Sequence, residues 1–353
     1  AAGTCTPQKL LAVHRSLGSN FGSVLGWPSN IEVQVVDDCG NAITNATVVT
    51  TFSNGDPPLA LASLRNGIYT RTWRPVNASS RVTVTARASL PPLTEAVAQA
   101  QGQVGPNPNA QAPALYLGGV VSAASYAPGE ALAPGSIVSV FGRNLARGTN
   151  YATRLPLEST LGGATLNVGG VDVPLFFANE GQINAQLPFG LAVNSRPQVV
   201  VKVRQGASGP EVVTVPETIT VAGARPAIFT TNQQGSGQGA ILDAAGRLVE
   251  ASNPAGAGEV VQVFCTGLGA TNPAVVSGQA APSAEPLARV TIPVSASIGS
   301  IAAPVHFAGL APGFVGLYQV NVQIPAGVTP GSAVPLVLTQ NSVPSNTVTL
   351  AIR

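Results

Sequence analysis

Short runs of alternating apolar and polar residues, cut by turn residues about every ten positions, leave this chain little choice but stacked β-sheets. Ile31-Glu32-Val33-Gln34-Val35-Val36, Thr47-Val48-Val49-Thr50-Thr51-Phe52, Ile68 to Trp73 and Arg81-Val82-Thr83-Val84-Thr85-Ala86 each place their apolar side chains on one face with period two. No stretch carries the spacing of an amphipathic helix. Thirty-nine glycines and 30 prolines supply the turns. A length of 353 residues is more than one core usually fills, so the expectation is an all-β chain of two or three sandwiches.

An internal repeat fixes the count. Gly135-Ser136-Ile137-Val138-Ser139-Val140-Phe141 matches Gly258-Glu259-Val260-Val261-Gln262-Val263-Phe264, and Pro174-Leu175-Phe176-Phe177-Ala178 matches Pro304-Val305-His306-Phe307-Ala308. Gln182-Ile183-Asn184-Ala185-Gln186-Leu187-Pro188 then matches Gln319-Val320-Asn321-Val322-Gln323-Ile324-Pro325, and Thr218-Ile219-Thr220-Val221 matches Thr347-Val348-Thr349-Leu350. Matched blocks in one order mean two copies of one domain. The expected plan is a first domain over 1–104, an extended linker over 105–114 (Gly105-Pro106-Asn107-Pro108-Asn109-Ala110-Gln111-Ala112-Pro113), copy 1 over 115–224 and copy 2 over 225–353.

The two copies together resemble the uncharacterised C-terminal domain family of Solibacter-type bacterial exported proteins. Gly118-Gly119-Val120-Val121-Ser122-Ala123-Ala124-Ser125-Tyr126, Gly181-Gln182-Ile183-Asn184-Ala185-Gln186 and Phe307-Ala308-Gly309-Leu310-Ala311-Pro312-Gly313-Phe314 carry the likeness, over about two thirds of the chain. The resemblance implies exported, immunoglobulin-like sandwiches akin to the IPT/TIG group and supplies no catalytic residues. The first domain is similar to bacterial immunoglobulin-like modules of the invasin type, through Val35-Val36-Asp37-Asp38-Cys39-Gly40-Asn41. Three tandem immunoglobulin-like β-sandwich domains are therefore expected.

Charge narrows the partners. Asp, Glu, Lys and Arg make up 9% of the chain, against roughly 25% in an average soluble domain. The net charge is +2 with no basic cluster, which argues against nucleic acid. Lys9 and Lys202 are the only lysines, so sheet edges lack their usual guard and edge pairing between copies is permitted. The start Ala1-Ala2-Gly3 and the absence of methionine are what removal of a signal peptide would leave. Cys5 and Cys39 fall at one end of the hairpin expected from Lys9 to His14 and Ile31 to Val36, so they are the expected disulfide, in an oxidising compartment. Cys265 would then be a lone, buried thiol.

Few residues suggest chemistry. His14 and His306 are the only histidines, and His306 matches Phe176, a packing position. Asp37, Asp38 and Asp56, with Asn41, offer hard oxygen ligands for calcium, although an Asx turn closing a strand explains Asp37 and Asp38 as well. Gly235-Ser236-Gly237-Gln238-Gly239 has the composition of a phosphate loop but is followed by a strand and a hairpin turn, so it reads as a turn. The rows Gln182, Asn184, Gln186 and Gln319, Asn321, Gln323 alternate with apolar residues, which puts all three amides of each row on one sheet face. Such a face is either ordinary solvated surface or an uncharged contact for another protein or a polysaccharide. Trp27 and Trp73 are candidate sugar platforms or core residues. Asn45 and Asn77 begin glycosylation sequons.

The resulting expectation is a non-enzymatic exported structural protein with no cofactor, assembling with copies of itself into an extracellular filament or surface layer, with an exchanged terminal strand as one route. The alternative is a surface adhesin or carbohydrate-binding module protein.

Overall fold

The period-two segments fold as strands: Ser29–Asp37, Thr47–Phe52, Ile68–Trp73 and Ser79–Ser89. They belong to a computed structural model that describes residues 5–106, 112–204, 206 and 209–353. The described residues are strands and turns with no α-helix, so none is long and apolar enough to cross a membrane. They gather into two compact units, Ala1–Gln111 and Ala112–Arg353.

The first unit is one sandwich. One sheet runs Leu10–His14, Ser29–Asp37, Ile68–Trp73, Ala62–Ser63 and the other Phe21–Val24, Ala96–Gly105, Ser79–Ser89, Thr47–Phe52, Leu59–Ala60. Alternation aims Ile31, Val33 and Val35 from one sheet at Val82, Val84 and Ala86 from the other, all 0% exposed. Each fully buried aliphatic side chain of this size contributes about 1.5–3 kcal/mol. Leu10–His14 pairs antiparallel with Ser29–Asp37 from Leu10↔Asp37 to His14↔Val33, but not as a simple hairpin. The intervening Phe21–Val24 crosses to the other sheet and pairs parallel with Ala96–Gly105. Cys5 and Cys39 are joined with a Cα–Cα distance of 5.8 Å across 34 residues, a closure of about 4 kcal/mol in the chain-entropy model.

The second unit holds the repeat. Copy 1 has the sheet Ala114–Ser122, Ile137–Arg143, Gln182–Gln186, Leu175–Ala178, Asn150–Tyr151, faced by one around Ala164–Val168 and Gln198–Arg204. In copy 2, Val260–Thr266, Tyr318–Gln323 and Val305–Leu310 occupy the matching positions, faced by Val294–Ile298, Gly331–Gln340 and Val348–Ile352. Ile137 pairs Gln186 as Val260 pairs Gln323. Both copies slip register at a matched place, between Leu175 and Phe177 and between Val305 and Phe307. Phe176 and His306 are thus the matched bulge residues, which is why a polar ring is tolerated at the second.

Each copy has its own core, yet the expected break at 223–225 is not a break between compact units. Of the expected linker, residues 107–111 lie outside the described residues, as do Ala1 to Thr4 at the expected cleavage site. The terminal strand Val348–Ile352 is not available for exchange as it stands. It pairs with Gly331–Gln340 on one edge, and on the other with Gly237, Gln238 and Ala255 of its own chain.

Candidate interaction surfaces

The amide rows lie where alternation places them. Ile183, Ala185 and Leu187 are 0% exposed in the core while Gln182 and Asn184 take the opposite face. Gln182 Nε2 donates to Asn184 Oδ1 at 2.7 Å, and Gln319 Nε2 donates to Asn321 Oδ1 at 2.8 Å. Ser139 Oγ on the neighbouring strand donates to Asn184 Oδ1 at 3.0 Å. The amides therefore satisfy one another along the strand.

Gln186 departs from the expected open face, because copy 2 covers it completely. Its Oε1 accepts from the Gly278 amide at 2.7 Å. Around it, Leu157 N donates to Gly278 O at 2.8 Å, Phe189 N to Ser277 Oγ at 3.1 Å, and Ile137 N to Thr266 Oγ1 at 2.9 Å. Arg225 pairs with Glu130 at the edge of this contact. Gly235, at φ +74°, lies so close to Ser125 that a Cβ there would overlap the Ser125 carbonyl. The expected turn over 235–239 is thus only partly one: Gly235 and Ser236 bend where the copies approach closely, whereas Gly237–Gln238 is a short strand beside Val348 and Thr349. Nothing in the pattern of Gln182, Asn184 and Gln186 distinguishes a covered end from an open one. The missing signal is the partner loop around Gly278, which has no matched block in the repeat.

Gln323, the counterpart of Gln186, is half-buried. Its Nε2 donates to Gly258 O at 3.1 Å and its Oε1 lies 3.2 Å from His306 Nε2.

The calcium candidates do not come together. Asp37 closes the turn after its strand, accepting from Cys39 N at 2.9 Å, Asn41 N at 2.8 Å and Asn41 Nδ2 at 2.9 Å; the Asn41 amide holds its carboxyl below the usual range. Asp38 accepts from Gln8 N at 3.0 Å, and that amide likewise lowers its pKa. Asp56 is buried under Trp73, near the opposite end of the Ser29–Asp37 strand, where Ser29 pairs with Trp73. Eight residue steps along that strand separate the ends by about 26 Å. Asp56 accepts from Trp73 Nε1 at 2.9 Å and from Asn77 N and Nδ2, each at 3.0 Å. Every one of these carboxylates is engaged by N–H donors, and among the described residues no group of acidic, histidine and cysteine side chains is arranged to hold a metal.

The remaining candidates separate cleanly. Trp73 is core, 2% exposed and stacked on Phe52 at 4.6 Å, whereas Trp27 is 56% exposed. Asn45 and Asn77 are both exposed. Cys265 is fully buried, and burial pushes its thiol far above the usual range, so it is inert. His14 is half-buried, and burial lowers its pKa against the opposing pull of the Val84 and Ala98 backbone.

No protein-family model matches the chain. No curated protein matches it. Among solved structures, it is similar to the Bacteroides ovatus mixed-linkage glucan utilization locus protein SGBP-B in complex with a mixed-linkage heptasaccharide, at 11% identity and TM-score 0.36, covering 99% of this chain and 69% of that one. It is also similar to a 1.5-MDa bacterial ice-binding adhesin, at 11% identity and TM-score 0.22 over 99% of both chains. Tandem Ig repeats of Dlar match 62% of this chain and 98% of theirs, at 11% identity and TM-score 0.23. At such scores the chain's own residues must carry any functional reading.

Proposed function

We propose that the chain is a non-enzymatic exported structural protein that assembles with copies of itself into an extracellular filament or surface layer. The observation that carries this reading is the edge strand Leu10–His14. It has no Asp, Glu, Lys or Arg, its one titratable group being His14, whose pKa burial lowers, and it exposes Leu11 by 44% and Val13 by 63%. Thr94 holds its start, but among the described residues no strand pairs along the far side of Leu11 to His14. A groove of about 630 Å³ runs there, lined by Ala12, His14, Leu17, Ala98 and Gln99. An uncharged, apolar, unpaired edge is a template for strand addition from another chain. The Cys5–Cys39 bridge supports an oxidising, extracellular setting. The test is electron microscopy and sedimentation of the full chain over a concentration series, with Val13→Lys alongside. Assemblies that Val13→Lys shortens are expected; monomers at every concentration would overturn the reading.

A second reading, a surface adhesin or polysaccharide binder, rests on Trp27. Its indole is exposed, and Gly26 N donates to Pro75 O at 2.8 Å, which brings the Trp27 turn beside the exposed Val76. Flat aromatic faces of this kind stack on sugar rings. A glycan array should then give hits that Trp27→Ala abolishes; an array without hits removes this reading.

A further inference from the structure

Copy 1 carries a row of uncharged side chains across the outer face of its first sheet, and the counterpart of that row in copy 2 is closed. We infer that the row, made of Phe141, Gln182, Asn184, Phe177 and Tyr151, is a binding face for a neutral polysaccharide. The inference rests on the polysaccharide reading and gives it a site separate from Trp27, in another domain.

Register puts the five residues on one face. Phe141 pairs with Gln182, Phe177 with Asn184, and Tyr151 with Phe177. Between them Val140, Ile183 and Ala178 are 0% exposed in the core. From the strand of Phe141 to that of Tyr151 is three strand spacings, about 14 Å. Tyr151 is 66% exposed, and its ring lies 5.1 Å from that of Phe177. The other four side chains are half-buried.

The amides between the rings are fixed in place. Asn184 Oδ1 accepts from Ser139 Oγ at 3.0 Å and from Gln182 Nε2 at 2.7 Å, which uses both of its lone pairs. Asn184 Nδ2 and Gln182 Oε1 are left without a partner among the described residues. The face therefore offers oriented donors and an acceptor beside aromatic rings. A sugar is complementary to all three, since its hydroxyls both donate and accept and its C–H face packs on a ring. Donors already held in position lose little freedom on binding. None of the five residues is charged, so an acidic glycan gains nothing from them. Within the row only Tyr151 is largely exposed, which is far too little apolar area for the roughly 800 Å² per partner of a stable protein contact.

Copy 2 shows the closed alternative. Phe307 matches Phe177 and pairs with Asn321 as Phe177 pairs with Asn184. The strand beside it, Arg289–Val290, lays the Arg289 guanidinium over the Phe307 ring at 5.0 Å, and Arg289 Nη2 donates to Glu285 Oε1 at 3.2 Å. Phe307 is buried there. One backbone row thus carries a charged, self-paired cover in copy 2 and an open neutral ring in copy 1.

The experiment runs the full chain by affinity electrophoresis in gels cast with dextran, laminarin, pullulan or galactomannan, with heparin and polygalacturonate as acidic controls. It compares wild type, Tyr151→Ala, Asn184→Asp and Trp27→Ala, after thermal melting shows each variant folded. At least one neutral polymer should retard wild type, and the acidic ones should not. Tyr151→Ala removes the open ring and Asn184→Asp trades the Nδ2 donors for an acceptor, so each should weaken binding by about tenfold or more. Trp27→Ala should leave it within about twofold. Binding kept by the Tyr151 and Asn184 variants and lost in Trp27→Ala would overturn this face and leave the polysaccharide reading intact. No retardation by any neutral polymer would overturn both. Retardation by the acidic polymers alone would overturn the neutral class. Altered sedimentation of Tyr151→Ala with polysaccharide binding unchanged would make the face a contact between copies and overturn the inference.

Discussion

Copy 1 and copy 2 share strand order, register, bulge and the amide pair along the central strand, and differ most at one end. There Gln186 is sealed beneath the Gly278 turn while Gln323 remains half-open. The sequence pattern of the two rows is the same, so the difference comes from neighbours and not from local propensity. Alternation decides which face a side chain takes; only the element that packs over it decides whether that face becomes interior or surface.

The comparison can be broken most severely at Gly235. Gly235→Val meets the Ser125 carbonyl and forces a branched side chain to φ +74°. Overpacking and left-handed strain together should cost about 3 kcal/mol, and hydrogen exchange should accelerate at Ile137, Leu157, Phe189 and Gly278, while both cores survive. Retained protection at those amides would mean the copies do not depend on this approach. Next, Gln186→Leu leaves the Gly278 amide buried and unpaired but also removes the buried, unpartnered Gln186 Nε2, for a net loss of about 1 kcal/mol, whereas Gln323→Leu should stay within about 0.5 kcal/mol in the monomer. Equal losses in chemical denaturation would erase the distinction between the ends. Arg225→Ala removes a partly exposed ion pair and should cost up to about 1 kcal/mol, less in high salt.

The smallest effect is confined to copy 2. Asp243 closes the 243–247 turn, and the Arg247 amide, with Asn253, holds its carboxyl well below the usual carboxylate range. A lowered folded-state pKa stabilises above the unfolded value and is lost as pH falls through the folded one. Exchange at the Arg247 amide should therefore be unaffected by this group down to about pH 4 and rise below it, and Asp243→Asn should flatten that acid limb. An unchanged limb in the variant would assign it elsewhere.

Much of the fold was legible because period two is a local property. Ile31, Val33 and Val35 declared their core face, and the matched blocks placed strands that pair in the same register in both copies. The path of Phe21–Val24 was not legible: a strand that leaves its hairpin partner for the opposite sheet answers to long-range pairing that no local window contains. The amide rows were visible as rows, but the burial of Gln186 depends on a turn almost a hundred residues away. Asp37, Asp38 and Asp56 looked like one oxygen-rich set because sequence proximity says nothing of strand ends; the fold gave Asp37 and Asp38 to turns and Asp56 to Trp73.

In all three sandwiches an early segment lies parallel to the last strand. Phe21 pairs with Gly102, Leu132 with Val221, and Gly237 with Val348. Tension applied along the chain would load the Leu132 and Gly237 contacts in shear, stretching their hydrogen bonds together instead of peeling them one at a time, while the Cys5–Cys39 bridge carries the load past Phe21. A chain built this way is suited to bearing force.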